Sequence, residues 1–480
     1  MYSRTRSKGF GNGFSEICRR EIGFSNPSRY SRQFSSSEVI VQKIDLYGKL
    51  NGHEGCVNTV EFNSSGDLLL SGSDDRQVIF WNWQTKSKKF SYPSGHIDNI
   101  FQAKVVAFSD DRKIITSSGD GQVRLGQVLE NGQVETKRLG KHHGHVYKIA
   151  MEPGNPNVLY SCGGDGFIQR FDLRSDSATK LFYCTSLAEN KKQAHNSIRL
   201  NAIVIDPRNF NYLAAGGSDE YVRVYDMRYC PWYGTNDADR PVDTFCPRQL
   251  VETGNVHITG LAYSKTNELL VSYNDELIYL FQKNMGMGPS PLPVSPERLQ
   301  TMEDPQVYSG HRNSQTVKGV GFFGPNDEYV ISGSDCGHIF IWKKKDGKLV
   351  RVMVGDRHIV NQLEPHPHLP ILATCGLEKS VKLWVPNATI HPLPTDVDKI
   401  IKSNRQGRED HSRLTLTPDV IMHVLRLQRR QTLAYIERRY NIDIESDEDE
   451  EAETYVLGFS DGEGSSDEGF MGNSNDCNIN

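Results

Sequence analysis

The sequence predicts an all-β protein, a closed ring of seven small antiparallel sheets (a seven-bladed β-propeller) with helical or disordered extensions at both ends. The first observation is the stretch from Gly52 to Trp83, where three short runs of alternating apolar and polar residues are separated by turn residues. This is typical of an antiparallel meander. The second is that the pattern recurs along the chain. The third is physical: one small sheet cannot bury both faces, so the copies must stack.

Each copy is anchored by an acidic residue six positions before an aromatic residue. The pairs are Asp75 with Trp81, Asp165 with Phe171, Asp219 with Tyr225, Asp275 with Phe281, and Glu378 with Trp384. Two further copies are degraded, since Asp120 precedes Gly126 and Cys336 holds the acidic position before Trp342. The anchors are about 42 to 61 residues apart, against about 40–45 for a four-stranded blade, so the longer gaps indicate insertions at 186–196, 229–240 and 284–305.

The ends of the repeat region indicate how the ring closes. Val39 to Leu50 has strand character but precedes the first copy, and no outer strand of clear pattern follows Val385. We therefore expect the first strand to complete the last blade, which removes the exposed sheet edges of an open stack. The predicted propeller covers residues 38–386.

The N-terminal segment, residues 1–37, is rich in Arg, Ser and Gly, and most of it reads as disordered. Residues 14–22 are the exception, because a helix there would place Phe14, Ile17 and Ile22 on one face. Two interpretations stay open: a mitochondrial transit peptide, as the Arg-rich, acid-poor composition suggests, or a short docking helix, which we favour.

The composition changes again after the last copy. Residues 387–444 read as a linker followed by a basic amphipathic helix over 420–440, with Pro418 suited to its first turn. Residues 445–480 read as an acidic disordered tail, which opens with seven acids between 445 and 453.

Composition and motifs argue against several functional classes. The net charge is −5, with much of the acidity in the tail, and no apolar run is long enough to span a bilayer, so we expect neither direct nucleic-acid binding nor a membrane partner. Nine cysteines without a Cys-x-x-Cys pair fit a reducing compartment. The Gly-x-Ser-x-Gly match at 458–462 has no strand-turn-helix context. We expect no catalytic, metal or cofactor residue, and hence no enzyme.

Histidines recur at the start of the copies and have a structural interpretation. Gly-His dipeptides at 52–53, 95–96, 144–145 and 310–311 precede their strands, and His145 is assigned to this role in its blade. A buried Asp at a turn must be paired, and a His–Asp set with a donating indole N–H satisfies that demand. The predicted structural network is the set His53, Asp75, Trp81, His311 and Trp342.

Two neighbouring copies end in an Asp-x-Arg sequence, at Asp172 to Arg174 and at Asp226 to Arg228. Turns alternate between the two rims of a four-stranded meander, so these arginines should lie side by side on the rim opposite the Gly-His loops. The alternative is that each Arg only pairs with its own Asp.

These residues carry a family resemblance. The repeats resemble those of WD40 propellers, and LYSCGGDGFIQRFDLR (159–174) and LAAGGSDEYVRVYDMR (213–228) resemble the box by which WD40 receptors dock on the damaged-DNA-binding adaptor of cullin-4 ubiquitin ligases. The tracts at 310–342 and 363–384 resemble the eighth associated factor of that receptor family. The resemblance implies that Asp172, Arg174, Asp226 and Arg228 bind the adaptor, together with Phe14, Ile17 and Ile22 of a docking helix.

The resemblance implies a substrate receptor. The adaptor, and through it cullin-4 and the RING subunit, would be the partners, and an unknown protein would be the substrate held at the other rim. The alternative is a general WD40 scaffold or histone-binding protein without a ligase. We expect the chain in the nucleus and the cytoplasm.

Overall fold

The protein is described here from a computed structural model of the 480-residue chain. It describes residues 13–24, 26–175, 178–186, 197–229, 240–251, 253–254, 256–289, 300–388 and 396–413. The predicted helix over 420–440, the acidic tail and nearly all of the insertion at 186–196 lie outside the described residues. Among the helices that are described, none is long and apolar enough to cross a membrane.

Seven four-stranded antiparallel sheets form the blades of a propeller, which confirms the predicted fold class. Six blades use four consecutive strands each, numbered from the innermost outwards. Blade 1 comprises β2 (Val57–Phe62), β3 (Leu68–Ser73), β4 (Gln77–Asn82) and β5 (Ser87–Pro93). Blade 2 comprises β6 (Ile100–Val105), β7 (Lys113–Ser118), β8 (Gln122–Val128) and β9 (Val134–Lys141). Blade 3 comprises β10 (Lys148–Met151), β11 (Val158–Cys162), β12 (Phe167–Asp172) and β13 (Ala178–Tyr183).

The remaining blades continue in chain order. Blade 4 comprises β14 (Leu200–Ile205), β15 (Tyr212–Gly217), β16 (Val222–Asp226) and β17 (Asp243–Phe245). Blade 5 comprises β18 (Ile258–Tyr263), β19 (Leu269–Tyr273), β20 (Ile278–Phe281) and β21 (Gln306–Tyr308). Blade 6 comprises β22 (Val320–Phe323), β23 (Tyr329–Ser332), β24 (His338–Lys343) and β25 (Leu349–Val354). Blade 7 comprises β26 (Val360–Pro365), β27 (Leu372–Gly376), β28 (Ser380–Pro386) and β1 (Ile44–Asn51).

The first strand closes the ring, as predicted. β1 pairs antiparallel with β28, from Ile44 opposite Pro386 to Asn51 opposite Ser380, and so forms the outer strand of blade 7. The prediction of strand character from Val39 was wrong at its start, because residues 38–42 form a short helix. Val41 on that helix is fully buried in the same apolar cluster as Trp384, which a helical turn achieves before the strand begins.

The core consists of apolar layers between neighbouring blades. One cluster joins Val57 and Trp81 of blade 1 to Leu383 of blade 7, and similar clusters join the other neighbours. Trp81, Trp342 and Trp384, the aromatic anchors of three blades, are among the largest fully buried side chains. The recurring aromatic position therefore marks the residue that fills the space between two blades.

Four α-helices are described around the propeller: α1 (Gly13–Glu21), α2 (Pro27–Ser35), α3 (Glu38–Gln42) and α4 (Val397–Arg413). Single 3-10 turns occur at Met227–Tyr229, Arg248–Leu250 and Lys283–Met285. Asn26 caps α2, where its side chain accepts the Ser28 N–H at 2.9 Å and Pro27 occupies the first helical position. The sequence did not predict α2, α3 or α4.

Candidate protein-interaction surfaces

The propeller has two rims, and each carries a different set of polar residues. The His rim contains the loops that enter each blade and the turns between second and third strands, and it includes His53 and Asp75. The Arg rim contains the turns at the other ends of the strands, and it includes Arg174 and Arg228. This assignment follows from the antiparallel order of each blade.

Blade 1 brings its predicted residues together around one serine. His53 Nδ1 lies 2.9 Å from Asp75 Oδ2, and His53 Nε2 lies 2.7 Å from Ser71 Oγ. Trp81 donates its indole N–H to the same Ser71 Oγ at 2.8 Å. The four side chains link the entry loop, the second strand, the tight turn and the third strand, so they are a structural clamp that leaves no group free for chemistry.

Blades 2 and 3 repeat this clamp without the tryptophan. His96 contacts Asp120 at 3.1 Å and Thr116 at 2.9 Å. A Cβ at Gly126 would lie 2.6 Å from the Tyr92 hydroxyl, so Tyr92 fills the space that the aromatic anchor takes in blade 1.

In blade 3 the clamping histidine is His142, and the assignment of His145 was wrong. His142 lies 2.9 Å from Asp165 and 2.7 Å from Ser161. Burial opposes ionisation of Asp165, but hydrogen bonds from His142 and the backbone of His143 hold the pKa of its carboxyl at about 2. The clamping histidines precede their acids by 22 to 24 residues. That spacing fits both His142 and His143 and excludes His145, which precedes Asp165 by 20 residues.

Blade 6 does not form the predicted His–Trp network. His311 and Trp342 meet edge to face at 5.7 Å, but Trp342 donates to the Ser309 carbonyl. Neither ring nitrogen of His311 has a hydrogen-bond partner among the residues the structure describes. Burial, with the nearby charges of Arg408 and Lys318, lowers the pKa of His311 to about 3, so the ring is neutral.

The carboxylate of blade 6 comes from the residue before the degraded anchor. Asp335 forms an ion pair with Lys318, and both side chains are at most 1% exposed. Asp335 also accepts from the backbone N–H and hydroxyl of Ser314. Cys336 is therefore free of the clamping role that the anchor pattern assigned to its position.

Blades 4 and 7 hold their acids with basic residues that sequence reasoning missed. Arg223 is 1% exposed and forms a bidentate pair with Asp219. Lys382 is 3% exposed and lies 2.8 Å from Glu378 and 3.3 Å from Asp356. In both blades the cation follows the acid by four residues, within an otherwise apolar third strand. A basic residue in an apolar strand, four positions after an acid, could have predicted these ion pairs, because a buried cation without a partner is strongly unfavourable.

The Arg rim presents the two predicted arginines, each held by its own aspartate. Arg174 donates to Asp172 at 2.9 and 2.7 Å, and Arg228 donates to Asp226 at 3.0 and 2.6 Å. The arginine side chains are 63% and 56% exposed. Hydrogen bonds from Arg174 hold the pKa of the Asp172 carboxyl at about 2. Local pairing thus fixes each guanidinium while most of it still faces solvent.

The N-terminal helices enter the propeller from the Arg rim. The Tyr329 hydroxyl, at the Arg-rim end of blade 6, donates to the Ser36 carbonyl at 2.9 Å. Lys343, at the same end of that blade, pairs with Glu38 at 3.1 Å. In the preceding segment, Ile17 of α1 is 45% exposed and Ile22, just after it, is 66% exposed. Phe14 lies in α1, but its side chain is outside the described residues.

Helix α4 covers part of the His rim at blade 6. Asn404 is 4% exposed, donates to the Gly310 carbonyl at 2.9 Å, and lies 3.3 Å from Cys336 Sγ. A Cβ at Gly310 would lie 3.3 Å from Ile401. The expectation that all Gly-His loops of this rim are open to a target therefore does not hold for blade 6.

Comparison with known proteins identifies the repeats. The family model of the WD domain, G-beta repeat, matches residues 45–82, 302–343 and 347–385. The human WD and tetratricopeptide repeats protein 1 is 32% identical over 636 aligned residues, which cover 82% of this chain and 92% of the relative. The chain belongs to the WD40-repeat family.

Other WD40 relatives are longer than this chain. The mouse DDB1- and CUL4-associated factor 6 is 33% identical over 301 residues, or 61% of this chain and 34% of the relative. The Arabidopsis thaliana protein ALTERED SEED GERMINATION 2 is 33% identical over 309 residues, or 58% and 40%. The chain thus spans less than half the length of these two relatives. They support a WD40 protein like the associated factors, and the narrower assignment to the eighth factor stays a prediction.

A WD40 propeller is typically a scaffold without catalytic groups, and the polar clusters of this one fit that role. Among the described residues, no group of three or more His, Cys, Asp or Glu side chains could hold a metal ion. The neighbouring His366 and His368 are structural, since His366 lies 2.8 Å from the Gly66 carbonyl and His368 lies 3.1 Å from the Ser64 carbonyl. The candidate functional surface is therefore the Arg rim, with the open part of the His rim facing the other way.

Proposed function

We propose that this WD40 protein is the substrate receptor of a cullin-4 RING ubiquitin ligase, and that its Arg rim binds the adaptor DDB1. The observation that carries the proposal is the arrangement of this rim. Arg174 and Arg228 follow the third strands of adjacent blades, and each is fixed by an aspartate and more than half exposed. The likeness to a protein named as DDB1- and CUL4-associated supports the choice of partner.

Pairing with an aspartate prepares each arginine for binding. An unpaired surface arginine loses side-chain rotamer freedom when it is immobilised in an interface, at a cost of about 0.5–1.5 kcal/mol. Asp172 and Asp226 already restrict their arginines, so less freedom remains to be lost. The donors that still face solvent are suited to carboxylate and carbonyl oxygens of a partner.

The N-terminal helices extend the same surface. Ser36 and Glu38 anchor the arm at the Arg-rim end of blade 6, and Ile17 and Ile22 offer exposed apolar side chains. In the proposed complex these side chains bury against the adaptor. The receptor itself supplies proximity and orientation, while the RING subunit and its E2 partner perform the transfer of ubiquitin. The substrate is held at the His rim away from α4, and the complex acts in the nucleus and the cytoplasm.

Binding of purified DDB1 to the full chain tests the proposal. We expect Arg174→Ala and Arg228→Ala each to weaken binding about tenfold or more, since such losses follow truncation of a buried interfacial charge. Arg357→Ala is the matched control, because Arg357 is an exposed arginine on the His rim, and it should bind like the wild type.

Folding must be monitored alongside binding. The Asp226 side chain is only 3% exposed, so Arg228→Ala leaves a nearly buried carboxylate without its charged partner. Asp172 is 18% exposed, which makes Arg174→Ala the safer variant. If the double variant keeps its melting temperature and binds DDB1 as the wild type does, the arginines are not the adaptor site. If the wild type does not bind DDB1 at all, the receptor function itself is wrong and the scaffold alternative stands.

A further inference from the structure

A cavity of about 210 Å³ lies at the Arg-rim end of the junction between blades 4 and 5. Its walls are largely aromatic and come from both blades: Tyr212 and Phe245 from blade 4, and Tyr263 and Phe281 from blade 5. The volume is that of a single large side chain rather than of a cofactor. This position in the fold is distinct from the clamps of the His rim and from the two Asp–Arg pairs.

Two carboxylates lie among these aromatic walls. Asp206 follows the inner strand of blade 4, is 2% exposed, and accepts the Arg208 backbone N–H at 2.8 Å. The amide of Asn267, oriented with its NH₂ group towards Asp206, donates to the same carboxylate at 2.6 Å. Asp206 is therefore firmly positioned, and its charge is held at the cavity by the fold.

Asp243 provides the second carboxylate, and its two oxygens differ in their hydrogen bonding. Its Oδ1 accepts the backbone N–H groups of Thr244 at 2.9 Å and Gly288 at 2.8 Å. Within the part of the chain that the structure describes, Oδ2 accepts no hydrogen bond. Tyr263 lines the same cavity as both acids, and burial, together with the charges of Asp206 and Asp243, raises the pKa of its hydroxyl.

The balance of charge favours a cation inside the cavity. Lys283 is the lining residue with a positive charge, and it is exposed at the mouth. Among the described ion pairs it joins neither carboxylate. Two acids with aromatic faces beside them attract an ammonium or guanidinium group through charge and through the ring quadrupoles, and both effects strengthen when water is excluded.

The cavity is continuous with the proposed adaptor surface. Tyr212 in its wall is the direct strand partner of Asp226, the residue that holds Arg228. A protein docked on Arg228 would therefore lie close to the wall that Tyr212 forms. We propose that this cavity is a cation pocket that takes one lysine or arginine side chain of the adaptor docked on Arg174 and Arg228. The choice of the adaptor as the partner rests on the proposed function, whereas the binding of a cation in the pocket does not.

The chemistry is tested without the adaptor. The probes are Nα-acetyl-lysine methylamide and Nα-acetyl-arginine methylamide, with the neutral norleucine analogue for comparison, observed by saturation-transfer NMR on the full chain. We expect signals from both cationic probes and none from norleucine. Asp243→Asn should reduce the signals several-fold, because the amide oxygen keeps the two backbone hydrogen bonds while the charge is lost.

A matched control separates the pocket from general surface charge. Asp98 lies on the His rim in the loop that enters blade 2, is exposed, and accepts the backbone N–H of Asn99 at 2.7 Å, so Asp98→Asn makes the same change away from the proposed adaptor surface. This variant should give wild-type signals. Tyr212→Leu removes one aromatic wall without changing charge, and it should also reduce the signals. Equal signals from wild type and Asp243→Asn would overturn the pocket.

The adaptor provides the second readout. With DDB1, Asp243→Asn should weaken binding about tenfold, and Asp98→Asn should not change it. If the wild type binds DDB1 and Asp243→Asn binds equally well, the pocket assignment is wrong while the receptor function survives. If the wild type fails to bind DDB1, the receptor function is wrong, and the probe experiment still decides whether the pocket binds cations.

Discussion

Blades 1 to 3 and blades 4, 6 and 7 hold a carboxylate at the His rim in two different ways. In the first group a histidine bridges the acid to a serine or threonine, as His53 does between Asp75 and Ser71. In the second group a buried cation pairs with the acid, namely Arg223, Lys318 or Lys382. A histidine can become neutral when its partner is lost, whereas a buried arginine or lysine is left with an uncompensated charge. The two groups should therefore tolerate change very differently.

The largest effect is expected in blade 6. Lys318→Met should cost about 3–5 kcal/mol of unfolding free energy, because it removes the ammonium paired with Asp335, which is 1% exposed, and leaves that carboxylate the more distant Arg312 at 3.9 Å. Urea denaturation followed by fluorescence measures the loss. Lys318→Met combined with Asp335→Asn removes both charges and should recover much of the stability. A single variant within about 1 kcal/mol of the wild type would contradict the argument.

Blade 1 should be more forgiving. Asp75→Ala is expected to cost about 1–3 kcal/mol, since what is lost is a set of hydrogen bonds rather than the partner of a buried lysine or arginine. The same urea titration provides the comparison, with Glu54→Ala as an exposed control beside the clamp. If Asp75→Ala proved as damaging as Lys318→Met, the distinction between the two groups of blades would fail.

The contrast also shows what a sequence can reveal. The acid-to-aromatic spacing predicted seven blades because each blade repeats one local pattern, and the strand character before the first copy predicted the closing strand. His142 was not predicted because the Gly-His dipeptide points to His145, and the distance to Asp165 excludes His145 but fits both His142 and His143. Lys318 could not be assigned, since two strands, β22 and β23, and the turn between them separate it from its partner Asp335, which is chosen by the tertiary fold. Helix α4 was missed because its apolar residues, such as Val397 and Ile401, have nothing to cover until the rim exists.

His311 should make blade 6 sensitive to pH. Its folded pKa is about 3, against about 6.5 in an unfolded chain. The unfolded state therefore binds the proton first as pH falls below 6.5, so stability is lost in that direction. Between pH 8 and pH 5 the loss from this group is about 2 kcal/mol.

A variant isolates that contribution from other titrating groups. Burial and the neighbouring Glu378 raise the pKa of Asp356 to about 6, which acts in the opposite direction over part of the range. The quantity to measure is therefore the difference in unfolding free energy between wild type and His311→Gln at each pH. That difference should change by about 2 kcal/mol from pH 8 to pH 5 in favour of the variant. A constant difference would show that His311 titrates normally in the fold.

The smallest effect concerns α4 and explains why blade 6 lacks the clamp. Asn404 donates to the Gly310 carbonyl at 2.9 Å, so the helix caps the loop that His311 would otherwise fix to its acid. Asn404→Ala should cost about 1 kcal/mol and increase hydrogen exchange around Gly310 and the reactivity of Cys336 towards thiol reagents. Ser403→Ala on the exposed face of α4 is the control and should change neither. If hydrogen exchange around Gly310 and the reactivity of Cys336 did not change in Asn404→Ala, α4 would not stabilise the entry loop of blade 6. The two groups of blades would then differ in whether a histidine or a buried cation pairs with the acid.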